Sequence, residues 1–221
     1  MLAERLAAVR AAVARAAHAA DRDPAAIELL PVSKGHGLDR VRDALALGLE
    51  ALGENYVQEC EAKAAAVAGV RWHLLGHCQG NKAARAARLF AAVETVDGPA
   101  LAARLSAARA GLAPLPVLCE VELTGLPGRG GFPPAALRAA FADLRQLPGI
   151  RIEGLMTVAA PDAGRAAFAA CRALRDELSD RHGVALPVLS MGMSHDFPAA
   201  IACGSTRVRL GQALFGARPR R

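Results

Sequence analysis

Aromatic residues are scarce in this chain of 221 residues, where Phe, Trp and Tyr together make up 4%. Binding of single-stranded nucleic acid normally uses stacking aromatics interleaved with basic residues, and no segment of the sequence has that pattern. The formal net charge of +6 comes from arginines spread through helical segments, which is typical of solvated helix faces. We therefore expect no nucleic-acid partner, although the charge favours small anionic ligands.

Closely spaced cysteines are absent, since the five cysteines of the chain form no CxxC pair. This scatter argues against a disulfide framework or a zinc site and is typical of a reducing compartment. Long hydrophobic runs are absent too, because no stretch reaches the roughly 18 apolar residues that a membrane helix needs. No signal-peptide pattern follows Met1. We expect a cytoplasmic protein without a membrane partner or a bound metal.

Short β-prone runs alternate with alanine-rich helical stretches after a helix in the first twenty residues. The eight candidate strands are Ile27–Ser33, Leu49–Gly53, Val70–Gly76, Ala92–Val96, Pro116–Leu123, Ile150–Met156, Val188–Met191 and Arg207–Leu210. Left-handed helix ends are expected at Gly48, Gly69, Gly111, Gly183 and Gly204. We predict one domain, residues 1–221, folded as an α/β (β/α)8 TIM-type barrel with an extra N-terminal helix. An open, doubly wound sheet gives a similar pattern.

Functional side chains of such a barrel gather at the carboxyl ends of its strands, and the first strand ends in Val32-Ser33-Lys34. A lysine that ends an apolar run places its amine in a partly desolvated mouth. Desolvation favours the neutral amine, which can attack an aldehyde to form a Schiff base. The alternative is a lysine that lies at the rim with its charge in water.

The second and third strands end in polar residues whose roles are less specific. Asn55 can both donate and accept hydrogen bonds, which suits the polar substituents of a bound ring, but it can equally cap the next helix. His73 and His77 lie on one face of the third strand. They are too far apart to share a metal, so structural hydrogen bonds are favoured for both.

The seventh and eighth strands lead into segments that suit an anion. Ser194 lies in a small-residue loop before a helix, where free N–H groups attract anions; alternatively, Ser194 or Asp196 caps that helix. The eighth strand directs Arg209 toward the interior or the mouth, and Gly211 lets a ligand approach the backbone closely. The loops after these two strands are where barrels most often bind phosphate.

A lysine amine, a phosphate-binding segment and an arginine at one rim together indicate pyridoxal 5′-phosphate (PLP) as the ligand. From about residue 27 to its end, the chain resembles the pyridoxal phosphate homeostasis protein family. The resemblance lies in the segments VSKGHGLDRV, LGENYVQE, WHLLGHCQGNK, GLMTVA, LSMGMSHDF and GSTRVRLGQALFGAR. Two positions depart from the family's usual pattern: Arg129 stands where a lysine is common, and Gly80 stands where a serine is common.

The resemblance implies the barrel of the alanine racemase N-terminal domain without the second, β-rich domain of that enzyme. It implies that PLP is held as a Schiff base on Lys34, with Asn55, Ser194, Arg209 and Gly211 as further cofactor-binding residues. It also implies a non-catalytic role in holding and delivering PLP, which affects vitamin B6 and amino-acid pools. PLP-dependent apo-enzymes are the implied partners, and we expect a monomer.

A PLP-dependent enzyme with low, racemase-like activity is the alternative. A racemase needs an acid/base group on the ring face opposite the lysine, and Tyr56 is the only tyrosine of the chain. An arginine at the ring nitrogen leaves the cofactor a weaker electron sink than an aspartate does. A site without a covering domain also admits water. The residues therefore favour a carrier over an enzyme.

Overall fold

The computed structural model describes residues 1–160 and 164–217. The chain starts with helix α1 (Leu2–His18) and then alternates strands with helices. The strands are β1 Glu28–Pro31, β2 Ala51–Glu54, β3 Arg71–Leu74, β4 Ala92–Val96, β5 Leu115–Glu120, β6 Ile150–Met156, β7 Val188–Ser190 and β8 Arg207–Leu210. The helices between and after them are α2 Leu38–Ala46, α3 Val57–Ala66, α4 Ala83–Leu89, α5 Pro99–Ala108, α6 Pro134–Leu144, α7 Gly164–His182, α8 Phe197–Ala202 and α9 Gln212–Phe215.

The eight strands form one parallel sheet in the order β1-β8-β7-β6-β5-β4-β3-β2. The two ends of this order meet, because Val32 bridges Gly53 in parallel and the Ser33 N–H donates to the Gly53 carbonyl at 3.0 Å. This contact nearly closes the sheet into a ring. The predicted (β/α)8 barrel with an extra N-terminal helix is confirmed, and the open doubly wound sheet is excluded.

Helix α1 lies outside the βα series and packs through one apolar stripe. Its residues Val9, Val13 and Ala17 are buried in a cluster that includes Ile201 of α8 and Val208 of β8. Spacings of four residues put these side chains on one helix face. The stripe attaches α1 to the last βα unit and so fixes the end of the chain that carries β8. No helix in residues 1–160 or 164–217 is long and apolar enough to cross a membrane.

The glycines that the sequence marks as helix ends all have positive φ. The angles are 76° at Gly48, 83° at Gly69, 75° at Gly111, 60° at Gly183 and 97° at Gly204. A residue with a Cβ is strained in this region, so glycine lets each helix end where the chain must turn toward the next strand. The predicted strand ends were less accurate than the helix ends. The first strand was predicted over Ile27–Ser33, but β1 spans Glu28–Pro31.

A buried carboxylate links strands across the barrel interior. Glu94 of β4 has no solvent exposure, and its Oε1 accepts hydrogen bonds from His73 Nδ1 at 3.0 Å and Arg207 Nη1 at 2.8 Å. Its Oε2 accepts a bond from the Ser190 hydroxyl at 2.5 Å, and that hydroxyl accepts one from Arg209 Nη1 at 2.8 Å. Because β4 lies opposite β8 in the strand order, these bonds span the barrel.

The surroundings of Glu94 keep it ionised. Burial raises the pKa of this carboxyl, but the hydrogen bond from His73 and the charge of Arg207 outweigh burial and hold its pKa at about 2, against an ordinary value of 4.5. A carboxyl whose pKa is lower in the folded than in the unfolded state stabilises the fold at pH values above its unfolded-state pKa. That contribution is lost as the pH falls from about 4.5 toward about 2.

We predict that Glu94→Gln lowers the free energy of unfolding at pH 7 by about 3–5 kcal/mol, because it removes the buried carboxylate that pairs with Arg207 and leaves only the partly exposed Glu28. Urea denaturation at several pH values measures this loss, which should shrink as the pH falls below about 4.5.

The matched control is Glu28→Gln. Glu28 accepts a bond from Nε of the same Arg207 at 2.7 Å, but its side chain is 45% exposed, so we expect a loss under about 1 kcal/mol. Equal losses in the two variants, or a Glu94→Gln loss that does not change with pH, would contradict this account of the interior.

Candidate ligand-binding site at the barrel mouth

Lys34 lies just beyond the carboxyl end of β1, at the rim where all eight strands of the parallel ring end. Its side chain is half-buried. The backbone before it follows β2, since the Ser33 N–H bonds to Gly53 at 3.0 Å. Lys34 therefore lies at the barrel mouth, where the sequence predicts it.

A cavity of about 230 Å³ opens beside Lys34, lined by Val32, Lys34, His36, Gly211, Gln212, Gly216 and Ala217. The structure thus brings together Lys34 and Gly211, which the sequence marks at the ends of two different strands. A Cβ on Gly211 would lie 3.2 Å from the Val32 carbonyl oxygen, so a larger residue at this position would crowd the contact between the β8–α9 turn and β1. Asn55, Ser194 and Arg209 are not among the described residues that line this cavity.

Ser194 is joined to the cavity's edge by the backbone of α9. Its hydroxyl accepts a hydrogen bond from the Ala213 N–H at 3.2 Å, next to the cavity residue Gln212. Asp196 Oδ1 accepts a bond from the Met193 N–H at 2.6 Å. Although Asp196 is the N-cap residue of α8, its side chain makes no capping bond there. The alternative in which either residue caps α8 through its side chain is therefore wrong.

Arg209 lies below the mouth, in the barrel interior. Only 5% of it is exposed, and its guanidinium donates to Ser190 Oγ at 2.8 Å and to the Thr157 carbonyl at 2.9 Å. Burial lowers the pKa of Arg209, and the charge of Glu94 opposes this effect. The predicted inward face of β8 is observed, because Arg207 is buried as well.

Asn55 follows β2 at the same rim and is half-buried. It is not the N-cap of α3, since that position belongs to Tyr56, which makes no side-chain capping bond. A Cβ on Gly76 would clash with the Asn55 carbonyl oxygen. The ends of β2 and β3 therefore pack closely enough to fix the backbone of Asn55 at the rim.

The two histidines of the β3 segment each bond to a carboxylate that belongs to, or follows, β4. His73 pairs with Glu94 in the interior, and His77 Nδ1 lies 2.8 Å from Asp97 Oδ2 at the rim. Within residues 1–160 and 164–217, no three His, Cys, Asp or Glu side chains are grouped so as to hold a metal ion.

Glu120 at the end of β5 is a functional candidate that sequence reasoning missed. Burial and the nearby charge of Asp97 raise its pKa to about 7, while Arg209, His77 and Arg129 partly oppose the rise. The sequence does contain a signal for Glu120. Like Lys34, it is an ionisable residue that ends an apolar strand segment, here LPVLCE. Glu120 can therefore exchange a proton near neutral pH.

The loop that follows β5 is anchored to the strand by backbone hydrogen bonds. Phe132 donates its N–H to the Glu120 carbonyl at 2.7 Å and accepts a bond from the Glu122 N–H at 2.9 Å. The loop passes close to the carboxylate of Glu120, because a Cβ on Gly130 would lie 3.6 Å from Glu120 Oε2. Arg129 of this loop consequently lies within electrostatic reach of Glu120.

We predict that Glu120→Gln stabilises the fold above about pH 7, by about 1–3 kcal/mol, and has little effect below pH 5. The sign follows from a folded-state pKa above the ordinary value of 4.5: ionisation of the half-buried carboxyl opposes folding, increasingly as the pH rises to 7. Denaturation curves between pH 5 and pH 8.5 measure the effect. A destabilised variant at pH 8 would contradict it.

The matched control is Glu122→Gln, two residues further along. The pKa of Glu122 is lowered, first by its hydrogen bond with Thr124, so neutralising it should not stabilise the fold at any pH. If both variants stabilise the protein at pH 8, the effect is a general one of negative charge and not of Glu120.

Comparison with known proteins shows which family the chain belongs to. The family description "Alanine racemase, N-terminal domain" matches residues 5–219. A "Pyridoxal phosphate homeostasis protein" of Pseudomonas aeruginosa is 46% identical, over 98% of this chain and 96% of that protein. A protein of the same name from Escherichia coli K12 is 36% identical, over 98% of this chain and 97% of that one.

Solved structures agree in fold. PipY of Synechococcus elongatus, solved with PLP bound, has a TM-score of 0.86 and 39% identity, over 98% of this chain and 100% of PipY. An alanine racemase of Clostridium difficile has a TM-score of 0.70 and 17% identity, over 88% of this chain and 53% of the racemase, which shows the shared barrel alone. The chain belongs to the alanine racemase N-terminal domain family and, within it, to the pyridoxal phosphate homeostasis proteins.

Proposed function

We propose that this chain binds PLP at the barrel mouth, through a Schiff base on Lys34, and serves to hold and release the cofactor. The observation that carries the proposal is that the half-buried Lys34 shares its cavity with Gly211, two residues after the buried Arg209. The names of the relatives and the PLP in PipY support it. Lys34 Nζ would form a C=N bond with the aldehyde carbon, and one water would leave.

The other lysines of the chain are poor candidates for this bond. The sequence contains only Lys34, Lys63 and Lys82. Lys63 is 5% exposed, and its Nζ donates to Glu54 at 2.6 Å. Lys82 Nζ donates to Gln58 Oε1 at 3.3 Å on the outer surface. Of the three lysines, Lys34 is the one that lines the cavity at the mouth.

The remaining predicted residues have roles that fit the chemistry of PLP. We assign Ser194 and the backbone of Gly211 to the phosphate, which the positive net charge of the protein also attracts. Arg209 is assigned to the ring nitrogen, and its two interior hydrogen bonds hold the guanidinium in a fixed orientation. Asn55 at the end of β2 is assigned to a polar ring substituent.

A carrier is favoured over a racemase-like enzyme. Tyr56, the only tyrosine, is 63% exposed, so it is not held in the dry position that an acid/base group needs. Arg209 at the ring nitrogen would leave PLP a weak electron sink. Both features suit a protein that retains the cofactor without driving carbanion chemistry.

Delivery to PLP-dependent apo-enzymes is the role we assign to the open rim. Two exposed apolar side chains, Tyr56 and Met193, lie in the segments that follow β2 and β7 at the rim, where an acceptor enzyme would have to approach. We propose a monomeric cytoplasmic protein of one domain, residues 1–221, whose retention and release of PLP affects vitamin B6 and amino-acid pools.

We predict that Lys34→Ala abolishes the Schiff-base absorption band of bound PLP but retains weak, non-covalent binding, because the phosphate contacts remain. The affinity should fall at least about 10-fold, which corresponds to about 1.4 kcal/mol. Spectral titration and equilibrium dialysis measure the two effects. The control is Lys82→Ala, which should bind like the wild type; an undiminished band in Lys34→Ala would reject Lys34 as the covalent residue.

We predict that Arg209→Lys shifts the absorption maximum of bound PLP and weakens binding by about 10-fold, because a charged hydrogen bond contributes about 1.5–3 kcal/mol. The matched control is Arg207→Lys, two residues earlier on the same buried face. It perturbs the same interior network through Glu94 but should leave the spectrum unchanged. Equal spectral shifts in both variants would remove Arg209 from the ligand site.

A further inference from the structure

A buried ion cluster lies directly behind Lys34 and uses residues that the proposed site does not include. Lys63 of α3 is 5% exposed. Its Nζ donates to the Ser33 carbonyl at 2.8 Å, to Glu54 Oε1 at 2.6 Å and to Glu59 Oε1 at 2.9 Å. These three bonds occupy all three protons of the ammonium group.

The cluster bonds to the residues on both sides of Lys34. On one side, the Ser33 hydroxyl donates to Glu54 Oε1 at 2.6 Å, and the Ser33 carbonyl accepts the bond from Lys63. On the other side, the Gly35 N–H donates to Glu59 Oε1 at 2.6 Å. The backbone that carries Lys34 is thus held before and after this residue by α3 and the end of β2.

A contribution to the stability of the fold does not explain this cluster. Glu54 has no solvent exposure, and in the described part of the chain its Oε2 has no hydrogen-bond partner. Burial raises the pKa of Glu54, and Lys63 and Ser33 only partly oppose this. Buried ion pairs are often no more stabilising than apolar side chains of similar volume, so the cluster calls for an explanation other than stability.

We propose that Glu59 and Lys63, together with Glu54, are positioning residues that fix the backbone on both sides of Lys34 and so aim its amine into the cavity. This inference rests on the proposed function, because it assigns the cluster to the covalent step at Lys34. Holding a nucleophile in its reactive geometry speeds bond formation, and a displacement of about 1 Å can slow a reaction about 100-fold.

Glu59 offers the cleanest test, because it is partly exposed, at 21% of its side chain, and its replacement leaves the Lys63–Glu54 pair in place. Glu59→Ala removes the acceptor for the Gly35 N–H. Glu59→Gln keeps an acceptor oxygen there without the charge. The matched control is Glu61→Ala on the same helix, where Glu61 pairs with Arg85 of α4.

The experiment measures the rate of covalent capture of PLP by stopped-flow absorbance in the full-length protein. We expect Glu59→Ala to capture PLP about 10- to 100-fold more slowly, Glu59→Gln to remain within about threefold of the wild type, and Glu61→Ala to be unchanged. Hydrogen exchange of the Gly35 amide in the ligand-free protein should accelerate in Glu59→Ala alone.

A second measurement separates positioning from a general loss of the pocket. In a Lys34→Ala background, adding Glu59→Ala should leave the non-covalent affinity for PLP unchanged. The proposal is overturned if this affinity falls, if Glu59→Gln is as slow as Glu59→Ala, or if Glu59→Ala captures PLP at the wild-type rate. Absence of capture in the wild type itself would instead refute the proposed function and, with it, this role.

Discussion

Closure of the parallel sheet between β1 and β2 is the constraint on which the rest of this structure depends. The bridge between Val32 and Gly53 and the bond from the Ser33 N–H to Gly53 join the ends of the strand order. Because every strand is parallel, closure brings all the carboxyl ends to one rim. Lys34 follows the closing bond directly, so the contact that completes the barrel also puts the amine at the mouth.

Charged residues lie in two layers, one in the barrel interior below the mouth and one at its rim. In the interior, Glu94 balances Arg207 and receives bonds from three strands, while Arg209 is oriented by Ser190 of β7 and by Thr157, which follows β6. At the rim, Glu120 is buried enough for its pKa to reach about 7. The interior charges are thus paired by hydrogen bonds, whereas one carboxyl at the rim has a pKa near neutrality.

The barrel, and the positions of the candidate residues at its strand ends, could be predicted because their signals are local. Alternation of apolar runs and helical stretches gives the βα order, and Lys34, Arg209 and Gly211 each stand at a recognisable strand end. The interior network could not be predicted, because Glu94 lies in the short strand AVETV and meets Arg207 across 113 positions of sequence. Only closure of the ring brings them together. The Lys63 cluster was missed for a related reason: a lysine in an alanine-rich helix is usually solvated, and its burial depends on where α3 packs.

The central claim is that Lys34 is the covalent residue, and peptide mapping tests it most directly. The protein would be loaded with PLP, reduced with borohydride, digested and analysed by mass spectrometry. The account predicts one pyridoxyl group per chain, on the peptide that contains Lys34. A label on Lys63 or Lys82, or no label after reduction, would contradict it.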